Sequence, residues 1–313
     1  MGKKILAIYY SQSGQLAEII DGFTAPLQTA GHEVEKVRIH TDPEYPFPWT
    51  SQSFYSVMPD CVLGVPCKLA PFELRSASYD LIILGYQAWF LSPSIPVNSL
   101  LHHPAFLAVL RNTPVITITG ARNMWVNAFS EVKKMLGQAG ANLVGNIALV
   151  DRHPNHISYV TIFHWLLGGK KSRYLGFFPY PGVSAADITH TRVFGETVVH
   201  YLGDAKDAGK HPAVDDAAGG FAKLQEALMK QKAVELKYSL LMLEMKAVPT
   251  YFIWVRFILK RKKRNTWLAV FKYYLVFSLF VAAPIILILD SLFIRPFSKK
   301  RIKAKKQHYL ALN

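Results

Sequence analysis

Short apolar runs divide the first half of the chain. They have no helical period and are rich in β-favouring residues, as is typical of strands buried on both faces of a parallel sheet, and they occupy 5–10, 80–85, 113–120 and 141–151. Segment 32–39 alternates polar and apolar residues, which predicts a half-exposed strand. Segments with helical character lie between these runs, at 15–29, 97–110, 126–139 and 184–201. The alternation predicts an α/β fold, a doubly wound parallel sheet with ligands at the carboxyl ends of its strands.

Two insertions interrupt this pattern. Residues 41–78 contain six prolines and many aromatic residues, which argues against a helix throughout, although a short helix around 51–58 fits. These aromatic residues either cover a ligand or form a satellite core under a long loop. Residues 152–183, with further aromatic residues and glycines, form a second insertion before the helix at 184–201.

The composition changes after residue 203. Residues 204–220 are rich in Ala, Gly and Asp and read as a linker, and 221–247 has the composition of one amphipathic helix that could lie along a membrane surface. We therefore expect three parts: a ligand-binding α/β domain over 1–203, a linker and amphipathic helix over 204–247, and a basic tail over 248–313.

The charge of the chain is concentrated in that tail. The protein has 51% hydrophobic and 18% charged residues and a formal net charge of +15, and 248–313 holds 14 Lys and Arg against one acid, Asp290. These basic residues flank apolar runs, so anionic membrane lipid fits them better than nucleic acid does, and we expect no nucleic-acid partner.

The tail also contains an apolar run at 267–294, long enough to cross about 30 Å of hydrocarbon. Basic clusters at 260–264 and 295–306 lie on both sides of it, against the positive-inside tendency of a single span. Since Pro284 divides the run, a re-entrant hairpin or monotopic arrangement is favoured over a straight span. The N-terminus is too short in apolar residues for a signal peptide, which places the first domain in the cytosol, on the cytoplasmic (inner) membrane.

A loop of small polar residues follows the first strand. Ser11, Gln12, Ser13, Gly14 and Gln15 lead directly into a helix, and a helix N-terminus with hydroxyls and a glycine suits a phosphate. The loop lacks the Walker A lysine and the three glycines of the dinucleotide fingerprint, so a single phosphate is favoured. The alternative is an ordinary serine-rich βα turn.

Two later loops lie at the same edge of the predicted sheet. Flavin mononucleotide (FMN) fits three such loops, because its flat ring needs an apolar or aromatic wall that Tyr86, Trp89 and Trp125 could provide. Arg122 could pair with an anionic reduced ring or with a substrate enolate; a packing role for the tryptophans and a surface role for Arg122 are the alternatives. The cofactor contacts predicted in these two loops are Tyr86, Gln87, Ala88, Trp89, Gly120, Arg122, Asn123 and Trp125.

Acid–base candidates are few. With Arg122, we predict Tyr86, His153 and His156 as catalytic residues, the two histidines because they follow the last strand, and His164 is a further candidate. No carboxylate cluster accompanies the histidines and the chain has only two cysteines, so we expect no metal site and no disulfide framework.

Residues 3–203 resemble the flavodoxin-like family. YYSQSGQ stands where that family has its phosphate loop, and YQAWFLSPSIP and TGARNMW stand where it has its ring-binding loops. The resemblance implies FMN as cofactor. Gln15 departs from the threonine that the family often has after the glycine, and this bears on how tightly phosphate is held.

More narrowly, the opening strand and loop together with the long tail resemble the flavodoxin-like proteins of dialkylresorcinol and flexirubin-type pigment pathways. This resemblance implies aromatisation of a dialkyl cyclohexanedione to a dialkylresorcinol, with a ketosynthase as a partner. A condensing activity of the chain itself does not fit, because Cys61 and Cys67 lack the histidine partners that an activated cysteine needs.

Three alternatives to such an aromatase stay open. The first is an NAD(P)H:quinone reductase with the same cofactor, in which NAD(P)H is the electron donor. The second is a flavodoxin-type electron carrier, and the third is a flavin-free scaffold at the membrane. All except the last share FMN, and the two enzymes share a lipophilic small-molecule substrate.

Overall fold

The computed structural model describes residues 2–202, 221 and 223–312, and a parallel sheet forms its centre. The strands are β1 (Lys4–Tyr9), β2 (Glu33–Arg38), β3 (Leu81–Tyr86), β4 (Ala88–Trp89), β5 (Ser92–Pro93), β6 (Pro114–Ala121) and β7 (Asn142–Val150). Five of them pair in the order β2-β1-β3-β6-β7, all parallel, while β4 and β5 pair with each other. Counted along the five-stranded sheet, this is the flavodoxin-like order 2-1-3-4-5, so the predicted fold class is confirmed.

Helices cover both faces of the sheet. The helices of the domain are α1 (Gln15–Thr29), α2 (Ser51–Ser56), α3 (Met58–Leu63), α4 (Ile95–Leu100), α5 (Pro104–Leu110), α6 (Val126–Gln138), α7 (Asn155–Gly168) and α8 (Ala185–Leu202). One face of β1 packs Ile5 and Ala7 against α1 and α8, and the other packs Leu6 and Ile8 towards α4, α5 and α6, because successive strand residues point to opposite faces. The predicted helix over 97–110 is two helices, and the second begins at Pro104, a residue favoured in the first turn.

The prediction of one helix over 221–247 is wrong. Helix α9 (Leu224–Lys230) ends before Val234, which forms a parallel bridge with Ala148 beside β7, and α10 (Tyr238–Leu259) follows. Leu228 and Leu236 are buried in the core clusters on the two faces of the sheet. This segment completes the domain core, where its apolar residues find a partner surface. The linker predicted at 204–220 lies outside the described residues.

The apolar run forms one long helix, Arg264–Phe297, which we call the apolar helix. Its 34 residues make it long and apolar enough to cross a membrane, and 11% of its most apolar window is buried. The helix passes through Pro284, so the expected break there is wrong. A π-helical segment at Ser278–Ala282 ends two residues before the proline, and such segments re-route backbone hydrogen bonds within a helix.

The apolar helix lies antiparallel to α10. Phe257 contacts Trp267 near the connection (ring centroids 4.7 Å apart), and Arg295 lies 5.6 Å from the Tyr238 ring at the other end. The basic residues 260–263 thus connect two helices of a hairpin. A C-terminal helix, Lys299–Leu310, then returns to the domain, where Tyr309 donates its hydroxyl to Met245 Sδ at 2.9 Å.

Candidate functional site

A cavity of about 420 Å³ lies at the carboxyl ends of β1, β3 and β6. This is the edge at which doubly wound sheets bind ligands, and β1 and β3 flank the point where the strand order reverses. Its size is within the range of small-molecule sites. The predicted cofactor contacts that line it are Gln12, Ser13, Gln15, Gln87, Ala88, Trp89, Gly120, Arg122 and Asn123.

The serine-rich loop presents backbone donors at the cavity. Gly14 has φ +88°, a conformation that suits glycine, and no atom lies within 4 Å of the position that a Cβ would take. Ser11 Oγ accepts the Ala17 N–H at 3.1 Å, which fixes the entry into α1. In the described part of the chain, the N–H groups of Ser13, Gly14 and Gln15 have no protein acceptor. The loop is therefore suited to an anion.

Gln15 explains how this loop differs from its threonine-bearing counterparts. Its Nε2 donates to the Val183 carbonyl at 3.1 Å, and its Oε1 accepts the Val183 N–H at 3.0 Å. The side chain is therefore committed to joining the loop to the segment before α8. Only its backbone N–H remains for a phosphate.

Two predicted wall residues lie elsewhere. Tyr86 is fully buried at the end of β3, and Trp125 is 1% exposed and packs on Phe129 with ring centroids 5.8 Å apart. Both belong to the core on one face of the sheet and neither lines the cavity. Trp89 does line it, supported edge-on by Tyr10, Tyr45 and Trp49. The aromatic insertion thus contributes to the site through Trp49, and also through Phe54.

Unpaired acceptors face the same space. Gln87 Oε1 and Asn123 Oδ1 are buried, belong to residues that line the cavity, and have no donor among the described residues. A buried polar atom without a partner costs roughly 1–3 kcal/mol. Both atoms are therefore suited to accept hydrogen bonds from a ligand such as a flavin, whose ring edge carries an N–H group.

Arg122 is a largely buried cation in the cavity wall. Its Nη1 donates to the carbonyl oxygen and Oδ1 of Asn155, at 3.1 and 2.7 Å, and its guanidinium lies 5.9 Å from the Tyr159 ring centroid. Burial lowers its pKa, while Tyr251, Tyr159 and Asp151 act in the opposite direction. No carboxylate forms an ion pair with it within the described ranges. An anionic ligand group would supply the missing charge.

The predicted histidines do not line the cavity. His153 is exposed beside the N-terminus of α7, while His156 Nε2 lies 3.0 Å from the Leu279 carbonyl oxygen and joins α7 to the apolar helix. His164 pairs with Ser172 at 3.2 Å. No metal-binding group of His, Cys, Asp and Glu occurs in the described part of the chain.

Two tyrosines that were not predicted as site residues line the cavity, whereas the histidines do not. Tyr159 and Tyr251 line the cavity from α7 and α10, and burial raises the pKa of both phenols, so each stays protonated and can donate. The far wall comes from α10 and the apolar helix and is largely apolar, through Leu243, Ala247, Leu275, Leu279, Ala283 and Ile286, although Lys246, Thr250 and Ser278 also line it. The tail, expected only to anchor the protein, is part of the site.

Together, the strand order and a cavity at the β1–β3 switch point define a flavodoxin-like α/β protein. No protein-family profile matches the chain, and no curated protein matches it significantly.

Solved structures with a similar fold are flavoproteins and flavodoxins. A flavoprotein from Lactobacillus acidophilus NCFM, solved in complex with FMN, is 19% identical over 47% of this chain and 93% of that chain, with a TM-score of 0.39. An archaeal flavodoxin is 10% identical over 64% and 98%, with a TM-score of 0.36. Flavodoxin 1 from Bacillus cereus is 16% identical over 64% and 99%, with a TM-score of 0.34. Matches at this level carry no argument about the site, and the fold class rests on the strand order.

Proposed function

We propose that the protein is an FMN-dependent oxidoreductase that acts on a lipophilic substrate. One observation carries the proposal: a single cavity joins the unpaired N–H groups of the serine-rich loop to the unpaired acceptors Gln87 Oε1 and Asn123 Oδ1. These groups match the two polar ends of FMN, its phosphate and its ring edge. When bound, FMN would supply hydride transfer chemistry.

The surrounding residues have separate tasks. The N–H groups of Ser13, Gly14 and Gln15 would hold the phosphate, and Trp89 would support the flat ring. Arg122 would stabilise negative charge that develops on the ring or on a substrate enolate. The protonated phenols of Tyr159 and Tyr251 can donate a hydrogen bond to a carbonyl oxygen of the substrate.

The substrate that we propose is a lipophilic cyclic ketone. Aromatisation of a dialkyl cyclohexanedione to a dialkylresorcinol removes two hydrogens, one as hydride and one as a proton, and a quinone could then accept the electrons. A ketosynthase that makes the dialkyl ring is the partner this reaction requires. Reduction of a quinone by NAD(P)H is the second candidate, and the apolar far wall of the cavity favours it equally. The same wall argues against a simple electron carrier, which needs an accessible flavin edge.

Attachment to an anionic membrane surface completes the proposal. The outward face of the apolar helix exposes large side chains such as Phe277, Ile288 and Phe293, by 58%, 59% and 68%, and basic residues lie at both of its ends. Because His156 and Tyr159 contact the middle of this helix at Leu279 and Phe280, an in-plane position on the cytoplasmic leaflet fits better than a span. The membrane tail is the basic segment 248–313, whereas residues 224–236, expected to belong to a linker and amphipathic helix over 204–247, pack in the core of the domain.

An absorption spectrum of the full chain purified in detergent tests the cofactor. We expect a yellow protein, or a colourless one that takes up added FMN with quenching of flavin fluorescence. A colourless preparation that binds no FMN contradicts both enzyme proposals and favours a flavin-free scaffold. Bleaching by NAD(P)H alone favours the quinone reductase, and bleaching by a cyclohexanedione with formation of a resorcinol favours the aromatase.

A further inference from the structure

The apolar helix has two functional faces. Leu275, Leu279, Ala283 and Ile286 follow a helical period and line the cavity, whereas Val281, Ile285 and Ile288 on other positions of the same turns are 42%, 52% and 59% exposed. The same turns therefore face the ligand space on one side and the surroundings on the other.

Small side chains keep this part of the cavity open. Ala247 of α10 and Ala282 and Ala283 of the apolar helix all line it, so both helices face part of the space with methyl groups. Ala282 also ends the π-helical segment Ser278–Ala282, and such segments are frequent at functional sites. Lys246, Thr250 and Ser278 add polar groups to this wall, but most of its side chains are apolar, which suits a hydrocarbon chain.

Another part of the cavity is polar and positively charged. Arg122 lies there with Asn123 and Asn155, held by hydrogen bonds to Asn155 and without a carboxylate ion pair in the described ranges. A buried guanidinium whose direct partners are neutral, and which only a more distant carboxylate (Asp151) influences, favours an oxyanion as ligand. One cavity thus combines an anion-binding end with an apolar channel.

We propose that this cavity binds an amphiphile whose oxyanionic head pairs with Arg122 and an alkyl chain of which lies between α10 and the apolar helix. The head is a carboxylate or an enolate, since both present the same charged oxygen. This assignment names the substrate class of the proposed function and rests on it for the reaction, but binding of the amphiphile needs no flavin.

Photolabelling of the full chain tests the position of the alkyl chain. The protein, reconstituted in phosphatidylcholine nanodiscs, is exposed to dodecanoate that carries a diazirine near its chain end, and labelled peptides are sequenced. We expect label on the inward residues Leu279, Ala283 and Ile286, displaced by excess dodecanoate. Label confined to the outward residues Val281, Ile285 and Ile288, as expected for a probe dissolved in lipid, overturns the proposal.

Two variants of the same helix provide matched controls. Ala283→Trp fills the channel and is expected to abolish displaceable labelling, whereas Ile285→Trp adds the same side chain on the exposed face and leaves it intact. Equal effects of the two substitutions contradict the proposal. Both proteins must run as the wild type does on size-exclusion chromatography, which separates loss of the site from loss of the fold.

Arg122→Met tests the head group. Loss of a charge-assisted contact is expected to weaken dodecanoate binding about 10- to 100-fold, while binding of dodecanol, the neutral analogue, changes little. If both ligands weaken equally, Arg122 does not bind the head. Flavin content is measured in the same samples. Labelling of the inward residues in a protein that binds no FMN supports the amphiphile site and rejects the redox function. FMN binding without labelling of the inward residues supports the redox function and rejects the amphiphile site.

Discussion

The side-chain amide of Gln15 and the main chain of Val183 hold each other through two hydrogen bonds, at 3.1 and 3.0 Å. Gln15 is the first residue of α1 and Val183 precedes α8, so this contact fixes the serine-rich loop to a segment far away in the chain. A side chain that pairs with both groups of one peptide imitates the pairing between neighbouring strands. The loop is therefore positioned before any ligand binds.

Replacement of Gln15 should loosen this loop. Gln15→Leu leaves the Val183 N–H unpaired in a buried place and its carbonyl with only the 3.5 Å contact from Lys171 Nζ, which costs about 1–3 kcal/mol of unfolding free energy. We also expect weaker FMN binding. Urea unfolding and flavin titration measure the two effects. Gln12→Ala is the control, since the Gln12 amide makes one exposed hydrogen bond, to the Pro46 carbonyl at 3.1 Å, and should leave stability almost unchanged.

A negative charge in the loop should expel the cofactor. Ser13→Asp places a carboxylate beside the proposed phosphate position, and like charges at close range weaken binding on the order of 100-fold or more. Flavin retained after gel filtration is the measurement. Ser13→Asn, similar in size but uncharged, should retain most of the FMN. Equal retention by the two variants would remove the loop from the site.

Glu244 should make stability depend on pH. It is 1% exposed, accepts the Asn127 N–H at 2.7 Å at the start of α6, and burial raises its pKa from 4.5 to about 7, although hydrogen bonds from Asn127 and Val126 lower it. The folded state thus binds the proton more tightly than the unfolded state. Its contribution is full below about pH 4.5 and is lost as pH rises to about 7, by at most about 3 kcal/mol.

The control for this pH dependence is Glu244→Gln, which cannot titrate. Urea midpoints of the variant should fall less between about pH 5 and about pH 8 than those of the wild type. If both proteins show the same slope, the carboxyl of Glu244 titrates normally and the dependence has another origin.

Arg122 and His153 should differ in importance. Arg122→Met removes a buried cation from the cavity wall and should slow flavin reduction about 100-fold or more. His153→Ala should have no effect, because His153 is exposed and does not line the cavity. Stopped-flow bleaching of the flavin with the active substrate measures both. Slow flavin reduction by the His153→Ala variant would show that His153 takes part in catalysis.

Membrane binding should depend on the exposed face of the apolar helix and on salt. Ile288→Asp with Phe293→Asp should strongly reduce flotation with phosphatidylserine-containing vesicles, since each replaces an exposed apolar group with a charge. Replacement of the five basic residues at 260–264 by Ala should remove about 1 kcal/mol for each charge near the surface. High salt should weaken vesicle binding as replacement of the basic residues does, because it screens their charges, but it should not reproduce the effect of the two Asp substitutions.

Proteolysis of bound protein distinguishes an in-plane helix from a span. Trypsin added outside sealed vesicles should cut at 260–264 and at 299–306, because both basic segments would face the same side. Protection of one segment until the vesicles are lysed shows that the helix crosses the bilayer.

The sequence predicted the sheet because its signal is local. Runs such as 81–85 have no charged or polar side chain, and strands buried on two faces need such a pattern. It also predicted that Ser13, Trp89 and Arg122 would share an edge, since the ends of parallel strands meet there. The sequence could not predict that Trp89 lines the cavity and that Trp125 packs in the core, because the direction of a loop side chain depends on packing and not on residue type.

The contribution of the tail to the cavity could not be predicted from local sequence patterns. The composition of an apolar stretch such as 267–294 predicts that it is shielded from water, but it does not predict whether lipid or protein covers each side of the helix. Tyr251 lies in the same kind of sequence, and only the hairpin of α10 with the apolar helix brings it to the cavity. The wall that α10 and the apolar helix contribute to the cavity depends on contacts between residues far apart in the chain.

The parallel bridge between Ala148 and Val234 has a practical consequence for expression. It covers the outer edge of β7, and an uncovered edge is a template for pairing with other chains. A shortened protein that ends at residue 203 would lose this cover together with Leu224 and Leu228, and would leave part of the hydrophobic face of its sheet bare. Recombinant production should therefore retain the chain at least through α10, and shorter forms should collect in inclusion bodies.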